Sequence, residues 1–278
     1  MQHKFSFAQV DVFTAVPYKG NPLAVVHGAD LLTTAQMAAF ANWTNLSETA
    51  FLLQPTDNAA DYRVRIFTPA DELPFAGHPT IGACHAWLAA GGTPKGVDIV
   101  QQCEIGLIRI RHKNGRLAFA APPATLEEVD EPTRAQVAAS LHVDPAAILA
   151  TQRLAKKPGW IAALFASREE VLALKPDFVA MGHARLDIGA VAPATGNEFD
   201  FEVRGFAPNL GVGEDPVTGS LNAGLARWLI GTGRAPSRYT AAQGTAVGRA
   251  GRIYLEQEGA DFWVGGDCVT CITGDVVI

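Results

Sequence analysis

The sequence predicts an α+β protein built from two similar halves. Segments that alternate apolar and polar residues, as half-buried strands do, outnumber the segments with helical spacing. The regular strand–helix alternation that builds a doubly wound parallel sheet is not sustained along the chain. Two stretches in the first part also resemble two stretches, in the same order, in the second part, which indicates an internal duplication.

The composition is that of a globular protein with a large core. The chain has 278 residues, of which 48% are hydrophobic and 18% charged, and its net charge is −6. Its lysines and arginines form no cluster, so nucleic acid and anionic membrane surfaces are not expected as partners. Because no apolar run reaches the length of a signal peptide or a membrane span, the expected location is the cytoplasm.

The four cysteines are too few for a disulfide scaffold. Cys268 and Cys271 form a CxxC pair within the alternating segment FWVGGDCVTCITGDVVI, but the pair has neither the βαβ context of a redox motif nor a second pair for zinc. The seven histidines show no ligand spacing, so no metal site is expected.

Strand and helix patterns follow one another through the first half. The stretch TTAQMAAFANW predicts a helix with Thr33 or Thr34 as its N-cap. PTIGACHAWLAA, residues 79–90, predicts a second helix that is apolar on every side and therefore enclosed by other structure. The predicted strands cover residues 5–16, 23–27, 48–54 and 61–67, with three more between 97 and 120.

The boundary between the halves is placed in a proline-rich acidic stretch, residues 121–132, which is typical of a linker. The halves are residues 1–122 and 123–278, with the last strand free to return to the first half. A helix over 133–141 and a strand over 158–165 are expected early in the second half.

The duplication depends on two matches. ARLDIGAVAPATGN (184–197) resembles AQVDVFTAVPYKGN (8–21), and FEVRGFAP (201–208) resembles YRVRIFTP (62–69). The second pair is followed in each half by Pro-x-x-Gly and an apolar helix. Because the offsets of the two matches differ, the first copy is expected to hold an extra helix and strand, which carry Glu48.

Three short stretches stand out as carriers of chemistry. NLSET (45–49) places the lone carboxylate of Glu48 in an uncharged stretch, directly before a strand that is expected to be buried. FAGHPT (75–80) and GEDPVTGS (213–220) each lead into an apolar helix. Charged groups are rarely placed in such surroundings unless they are paired or used.

The two helix starts have a shared physical logic. Backbone N–H groups at a helix N-terminus lack partners, and the helix dipole there favours negative charge. Small residues such as Gly77, Gly219 and Ser220 let a ligand approach that backbone. Two helix starts that face each other across a cleft between the halves would hold a small anionic molecule, of which a substrate carboxylate is the obvious example.

Structural explanations stand beside these functional ones. Asp215 followed by Pro216 also makes a good N-cap with proline at the first helical position, and His78 could cap its helix in the same way. Glu48 could pair with Arg63 or Arg65 at the end of a strand.

Known cofactor motifs are absent from the sequence. Gly211 and Gly213 do not continue into the dinucleotide fingerprint, because Pro216 occupies the third glycine position. The sequence has no P-loop, HExxH or GxSxG motif.

Four blocks of the sequence resemble the PhzF-like phenazine biosynthesis isomerases. These blocks are DVFTAVPYKGNPLAVV, NLSETAFL, IFTPADELPFAGHPTIGA and GEDPVTGSLNAGLARWL, and they follow the family's order from about residue 10 to about residue 230. The resemblance implies a fold similar to diaminopimelate epimerase, in which each half is a barrel-like sheet around a central helix and the site lies between the halves. It also implies an enzyme that needs no metal or organic cofactor, and a homodimer.

The resemblance extends to individual residues. It implies that the catalytic residues are Glu48, His78 and Asp215 and that the substrate-binding residues are Gly77, Thr218, Gly219 and Ser220. Gly77 and Asp215 stand where the epimerase relatives carry cysteines. Racemisation by two thiols is therefore not expected.

The expected chemistry follows from the surroundings of Glu48. A carboxylate in an apolar cleft has its pKa raised toward neutrality, so it can both accept and return a proton. We expect Glu48 to move a proton within a small carboxylate-bearing substrate similar to 2,3-dihydro-3-hydroxyanthranilate. Two other functions stay open: an amino-acid racemase or epimerase of the same fold, and a metabolite-binding protein that has lost the chemistry.

Overall fold

The computed structural model describes residues 3–155, 159–196 and 198–278. Its mixture of strands and helices confirms the predicted α+β class. The α-helices are α1 (Thr34–Thr44), α2 (Gly77–Ala89), α3 (Glu131–Ser140), α4 (Arg168–Ala173), α5 (Phe178–Ala184) and α6 (Gly219–Gly231). Among the residues just given, no helix combines the length and the apolar character needed to cross a bilayer.

The strands are numbered in chain order. They are β1 (Lys4–Val12), β2 (Asn21–Val26), β3 (Glu48–Leu53), β4 (Tyr62–Phe67), β5 (Glu72–Leu73), β6 (Ile99–Cys103), β7 (Gly106–Lys113), β8 (Arg116–Ala120), β9 (Ala150–Arg153), β10 (Ile161–Leu164), β11 (Ile188–Pro193), β12 (Phe201–Ala207), β13 (Val212–Asp215), β14 (Arg238–Gln243), β15 (Gly251–Glu258), β16 (Asp261–Gly266) and β17 (Cys268–Val277).

The chain divides into two compact units. The first runs through Ala120 and resumes at Gly265–Ile278, and the second covers Ala121–Val264. The last strand, β17, pairs antiparallel with β1 of the first unit. The descent of the halves from one ancestor, with a division at residue 122, stays a prediction.

The first unit is a mixed sheet with an enclosed helix. Its strand β1 runs antiparallel to β2, β2 parallel to β3, β3 antiparallel to β4, and β4 parallel to β6. Helix α2 lies against β1, β2, β3 and β8. Every residue of α2 from Gly77 through Cys84 is buried, which confirms the prediction of an enclosed apolar helix. The helix begins two residues before the predicted start at Pro79.

The second unit repeats this order of pairings. Its strand β9 runs antiparallel to β10, β10 parallel to β11, β11 antiparallel to β12, and β12 parallel to β14. A separate core of buried apolar side chains from α3, α4, α5, β10 and β11 lies in this unit. By its place in the order, β11 corresponds to β3 and β12 corresponds to β4.

These pairings correct one of the two sequence matches. The match of 62–69 with 201–208 aligns β4 with β12, which hold the same place in each unit. The match of 8–21 with 184–197 aligns β1 with β11, which do not, because β1 is antiparallel to both of its neighbours and β11 is parallel to one. The expected extra helix and strand of the first copy are also wrong, since α4, α5 and β10 precede β11 in the second unit.

Several element boundaries differ from the sequence expectations. Thr33 caps α1 as predicted, in a capping box with Gln36. Helix α3 begins at Glu131 rather than at 133. The backbone of Glu127, in the stretch interpreted as a linker, pairs with Arg153 at the end of β9.

Some expectations fall partly outside the described residues. The predicted strand over 158–165 is observed as β10, although Pro158 lies outside the described residues. Asn197, the last residue of the matched stretch 184–197, also lies outside them, and so do Met1 and Gln2 at the N-terminus. Strand β9 and helices α4 and α5 were not predicted.

Candidate active site

Glu48 is the first residue of β3, where its backbone pairs in parallel register with Leu23 of β2. Its side chain is 17% exposed, and the Oε2 atom is buried with no hydrogen-bond partner within the part of the chain that the structure describes. Burial raises the pKa of Glu48 to about 7, and a hydrogen bond from Ser47 opposes this rise. A carboxyl group with this pKa exchanges its proton readily near neutral pH.

His78 is the second residue of α2, and it lies beside Glu48. Its side chain is 5% exposed, and its Nε2 atom is 3.3 Å from Oε2 of Glu48. The two atoms approach without the alignment of a full hydrogen bond. The N-cap position is Ala76, which has no side-chain cap, so the interpretation of His78 as a capping residue is wrong.

The pairing of Glu48 with an arginine is also wrong. Arg65 makes a two-point ion pair with Glu72, at 2.6 and 2.7 Å. In the register of β3 with β4, Arg65 lies opposite Phe51 and Arg63 opposite Leu53, both farther along β3 than Glu48. The strand register therefore keeps the two arginines away from the carboxyl group.

Two further polar residues join Glu48 and His78, and the sequence did not single out either as functional. Asn21 is the first residue of β2 and is only 1% exposed. Its Nδ2 atom is 3.5 Å from Nδ1 of His78, and its Oδ1 atom is 3.4 Å from the Ser47 hydroxyl oxygen. No local pattern in the sequence identifies a partner 57 residues away.

In the second unit, Asp215 ends β13 and contacts the start of α6. Its Oδ2 atom accepts a hydrogen bond of 2.6 Å from the Thr218 hydroxyl. Helix α6 begins at Gly219, and Thr218 occupies the N-cap position with an extended backbone and no side-chain cap. Asp215 and Pro216 thus precede the helix, and the interpretation of Asp215 as its N-cap is wrong.

A buried glutamine at the end of β14 holds this segment in place. Gln243 accepts hydrogen bonds at Oε1 from the Thr218 backbone N–H at 3.0 Å and from Nδ2 of Asn222 at 2.8 Å. Its Nε2 group donates to the Thr218 hydroxyl at 2.9 Å and to the Asp215 carbonyl at 3.1 Å. Gln243 was not predicted as a functional residue, because a single glutamine at a strand end has no distinctive pattern.

The start of α6 is made of two small residues, Gly219 and Ser220. Gly219 is buried, while Ser220 is exposed and its hydroxyl accepts a hydrogen bond of 3.2 Å from the indole N–H of Trp160. Both α2 and α6 begin with a glycine, Gly77 and Gly219, and neither helix has a side-chain cap. Such helix starts can bind an anionic group.

The cysteines are free thiols. Burial raises the pKa of Cys84 to about 12 and also raises the pKa of Cys103 and of Cys268. These thiols are therefore poor sources of thiolate at neutral pH. Within the described ranges, no group of three or more His, Cys, Asp or Glu side chains comes together as metal ligands would.

Comparisons with known proteins identify the family. The sequence model of the phenazine biosynthesis-like protein family, PhzC-PhzF, matches residues 10–274. Antisense-enhancing sequence 1 of Schizosaccharomyces pombe is 33% identical, with 97% of each chain covered. The trans-2,3-dihydro-3-hydroxyanthranilate isomerase of Pseudomonas aeruginosa is 30% identical, with 91% of each chain covered.

Comparison of the fold agrees with this assignment. The crystal structure of a PhzF-family phenazine biosynthesis protein of Bacillus anthracis has a TM-score of 0.86 to this chain at 20% identity, covering 99% of this chain and 100% of that one. The fold is therefore that of PhzF proteins. The chain belongs to the phenazine biosynthesis-like protein family and is an isomerase of that family.

Proposed function

We propose that the protein moves a proton within a small carboxylate-bearing substrate, with Glu48 as the general acid and base. One observation carries the proposal: a mostly buried carboxyl group, with a pKa of about 7, lies 3.3 Å from a buried imidazole. A group whose pKa is close to the working pH can both remove a proton and return it.

The proposed substrate is an acid similar to trans-2,3-dihydro-3-hydroxyanthranilate, because a relative is named as the isomerase of that compound. The ionised Glu48 breaks one C–H bond, the double bond shifts, and the protonated Glu48 forms a new C–H bond at another carbon. The substrate and the product contain the same numbers of protons and electrons, so the step needs no oxidant or reductant.

The remaining residues are assigned to binding and charge stabilisation. The backbone of Gly219 and Ser220 at the start of α6 is proposed to bind the substrate carboxylate, with Gly77 offering the corresponding position in α2. His78 and Asp215 are proposed to orient the substrate, and Thr218 to hold the Asp215 carboxylate through the 2.6 Å hydrogen bond.

The alternatives are less well supported. A racemase that uses two thiols would need thiolates, and burial raises the pKa of Cys84, Cys103 and Cys268. Homodimer formation and a cytoplasmic location are proposed from the family likeness and the sequence composition alone.

Substitution of Glu48 by glutamine tests the proposal. Glu48→Gln should lower the rate of conversion of 2,3-dihydro-3-hydroxyanthranilate by about 10²–10⁴, since a positioned acid–base contributes that much. In D₂O, the incorporation of solvent deuterium into the product should fall equally. Mass spectrometry of the product measures both effects.

Glu72→Gln is the matched control. Glu72 lies in the same unit, and its partly buried carboxylate is taken up by Arg65 rather than by the candidate site, so its loss should leave turnover close to that of the wild type. Retention of deuterium incorporation in Glu48→Gln would reject Glu48 as the base.

A further inference from the structure

We propose that Gln101 is a positioning residue that holds the first turn of α2 and so keeps His78 beside Glu48. The inference deepens the proposed function and rests on it, because it concerns how the same site is held together. It starts from a buried chain of hydrogen bonds that joins α2 to β6 and β4 in the first unit.

The first turn of α2 is closed by Thr80. Its backbone N–H lies 3.2 Å from the carbonyl oxygen of the N-cap residue Ala76, and its hydroxyl donates to the same oxygen at 2.9 Å. His78 lies in the middle of this turn, two residues from each end. The position of its imidazole, 3.3 Å from Oε2 of Glu48, therefore depends on how firmly the turn is held.

Gln101 reaches Thr80 from strand β6. Its Nε2 atom is 3.0 Å from the Thr80 hydroxyl oxygen, and its Oε1 atom is 3.0 Å from the Tyr62 hydroxyl oxygen. Thr80 and Gln101 are completely buried and Tyr62 is 2% exposed, so water does not replace these contacts. Polar groups in such surroundings are costly to leave unpaired. The chain of contacts from Tyr62 to the N-cap carbonyl therefore resists displacement of the turn.

Two thiols lie beside this chain of contacts. The Tyr62 hydroxyl also interacts with Cys84, which is on the next turn of α2, and Gln101 interacts with Cys103. Burial raises the pKa of both thiols and of Tyr62. The chain therefore carries no charge near neutral pH, and it acts on the site through position and not through its own ionisation.

Helix α6 of the second unit is held in the same way. Asn222 follows the N-cap residue Thr218 by four positions, which is the spacing of Thr80 from its own N-cap residue. The Nδ2 group of Asn222 donates to the Thr218 carbonyl at 2.9 Å and to Oε1 of Gln243 at 2.8 Å. Gln243 is completely buried and ends β14, which takes the place of β6 in the order of pairings. The same contact at both helix starts indicates that it serves the helix start and is not a local feature of one strand.

The titration of Glu48 measures the role of Gln101 without turnover. Thr80→Val keeps the shape of the side chain and removes the hydroxyl, so the first turn should loosen and admit water to Glu48. The Glu48 midpoint, followed by ¹³C NMR of the labelled carboxyl carbon, should fall from about 7 by roughly one pH unit, because burial is what raises it. Gln101→Met should shift the midpoint in the same direction, and Thr80→Ser, which keeps the hydroxyl, should leave it near that of the wild type.

The substitutions leave the charged and titratable groups around α2 unchanged. The groups on the strands that contact α2 are Lys4, Asp11, Glu48, Arg116, Cys268, Cys271 and Asp275. A shift of the Glu48 midpoint therefore reports a change in its solvation. An unchanged midpoint in both Thr80→Val and Gln101→Met would overturn the proposal.

Kinetics give the second readout. Thr80→Val and Gln101→Met should each lower kcat about 10- to 100-fold, because small displacements of a functional group have effects of this size. KM should change less, since the substrate carboxylate is proposed to bind at the start of α6. Thr80→Ser should restore most of kcat. A kcat equally low in Thr80→Ser and Thr80→Val would contradict the role of the hydroxyl.

Gln102→Leu is the matched control. Gln102 follows Gln101 on β6, so its side chain lies on the opposite face of the sheet, where it bonds to Thr56 and to the Asp57 backbone N–H. Its loss removes several hydrogen bonds but none to α2, so the Glu48 midpoint and kcat should stay those of the wild type. An equal shift in Gln102→Leu would overturn the positioning role. Deuterium incorporation retained in Glu48→Gln would reject the proposed function, which is a separate result from an unchanged midpoint.

Discussion

Ionisation of the buried Glu48 carboxyl group lowers the stability of the folded protein, so that stability depends on pH. Its pKa is raised from 4.5 to about 7 by burial, so folding disfavours the ionised form. A group with a raised pKa contributes its full stability below pH 4.5 and loses it as the pH rises through 7. At 1.36 kcal/mol for each pKa unit, the ionised form costs roughly 3 kcal/mol above pH 7.

Glu48→Gln should therefore stabilise the protein at pH 8 and not at pH 4. Relative to the wild type, the free energy of unfolding should rise by roughly 2–3 kcal/mol at pH 8, because the amide is never ionised. Urea denaturation at the two pH values measures the difference. Glu72→Gln should show no such gain at pH 8, because the ionised Glu72 carboxylate is paired with Arg65. Equal stability of Glu48→Gln and the wild type at both pH values would contradict the raised pKa.

At this scale the sequence identified isolated charges better than their partners. Glu48 could be singled out because the residues around it are uncharged, and the direction of its pKa shift follows from those surroundings. Its neighbour His78 was named as a candidate, but the contact with Glu48 depends on how α2 packs beside β3. Asn21 is separated from His78 by 57 positions, and only the folded chain brings them together.

The start of α6 shows how an element is held in place by a residue from another element. The segment before the helix is extended at Thr218, so its polar groups need partners from elsewhere. Gln243 of β14 supplies four hydrogen bonds, to Thr218, Asn222 and Asp215. The helix start is therefore rigid before any ligand binds, which favours binding.

Gln243→Leu should destabilise the protein by about 3 kcal/mol. The substitution leaves the Thr218 N–H and one of the two Asn222 amide hydrogens buried without an acceptor, the other amide hydrogen still bonding to the Thr218 carbonyl. Each such unpaired donor costs about 1–3 kcal/mol. Denaturant unfolding at pH 7 measures the loss. Gln257→Leu is the control, since the Gln257 side chain donates a hydrogen bond to the Gly259 carbonyl at the surface. It should change stability by less than about 0.5 kcal/mol. A similarly small loss of stability in Gln243→Leu would contradict the conclusion that the hydrogen bonds of Gln243 hold the start of α6 in place.

Elements with strong local signals were predictable, and those shaped by packing were not. Thr33 and Gln36 form a capping box that the sequence pattern indicates directly. Asp215 and Pro216 have an equally good local pattern, yet Thr218, whose N–H is bonded to Gln243, is extended and the helix begins only at Gly219. Helices α4 and α5 have six and seven residues, about two turns each, which is too short for a clear period.

For the whole molecule, the order of strand pairings carries more information than the likeness of single strands. The α+β class and the PhzF family were predictable from the sequence because the four blocks are long and follow one order. The match of β1 with β11 was wrong because alternating strands resemble each other by chance, while the parallel and antiparallel neighbours of each strand distinguish them. The common ancestry of the two units stays a prediction.

A direct titration of Glu48 tests the central claim. In protein labelled with ¹³C at the glutamate side-chain carboxyl carbons, the Glu48 signal can be assigned by its loss in Glu48→Gln and followed from pH 4 to pH 9. We expect its midpoint near pH 7, as burial requires. A midpoint near 4.5 would show a carboxyl group that is ionised throughout the neutral range, and would contradict its use as both acid and base.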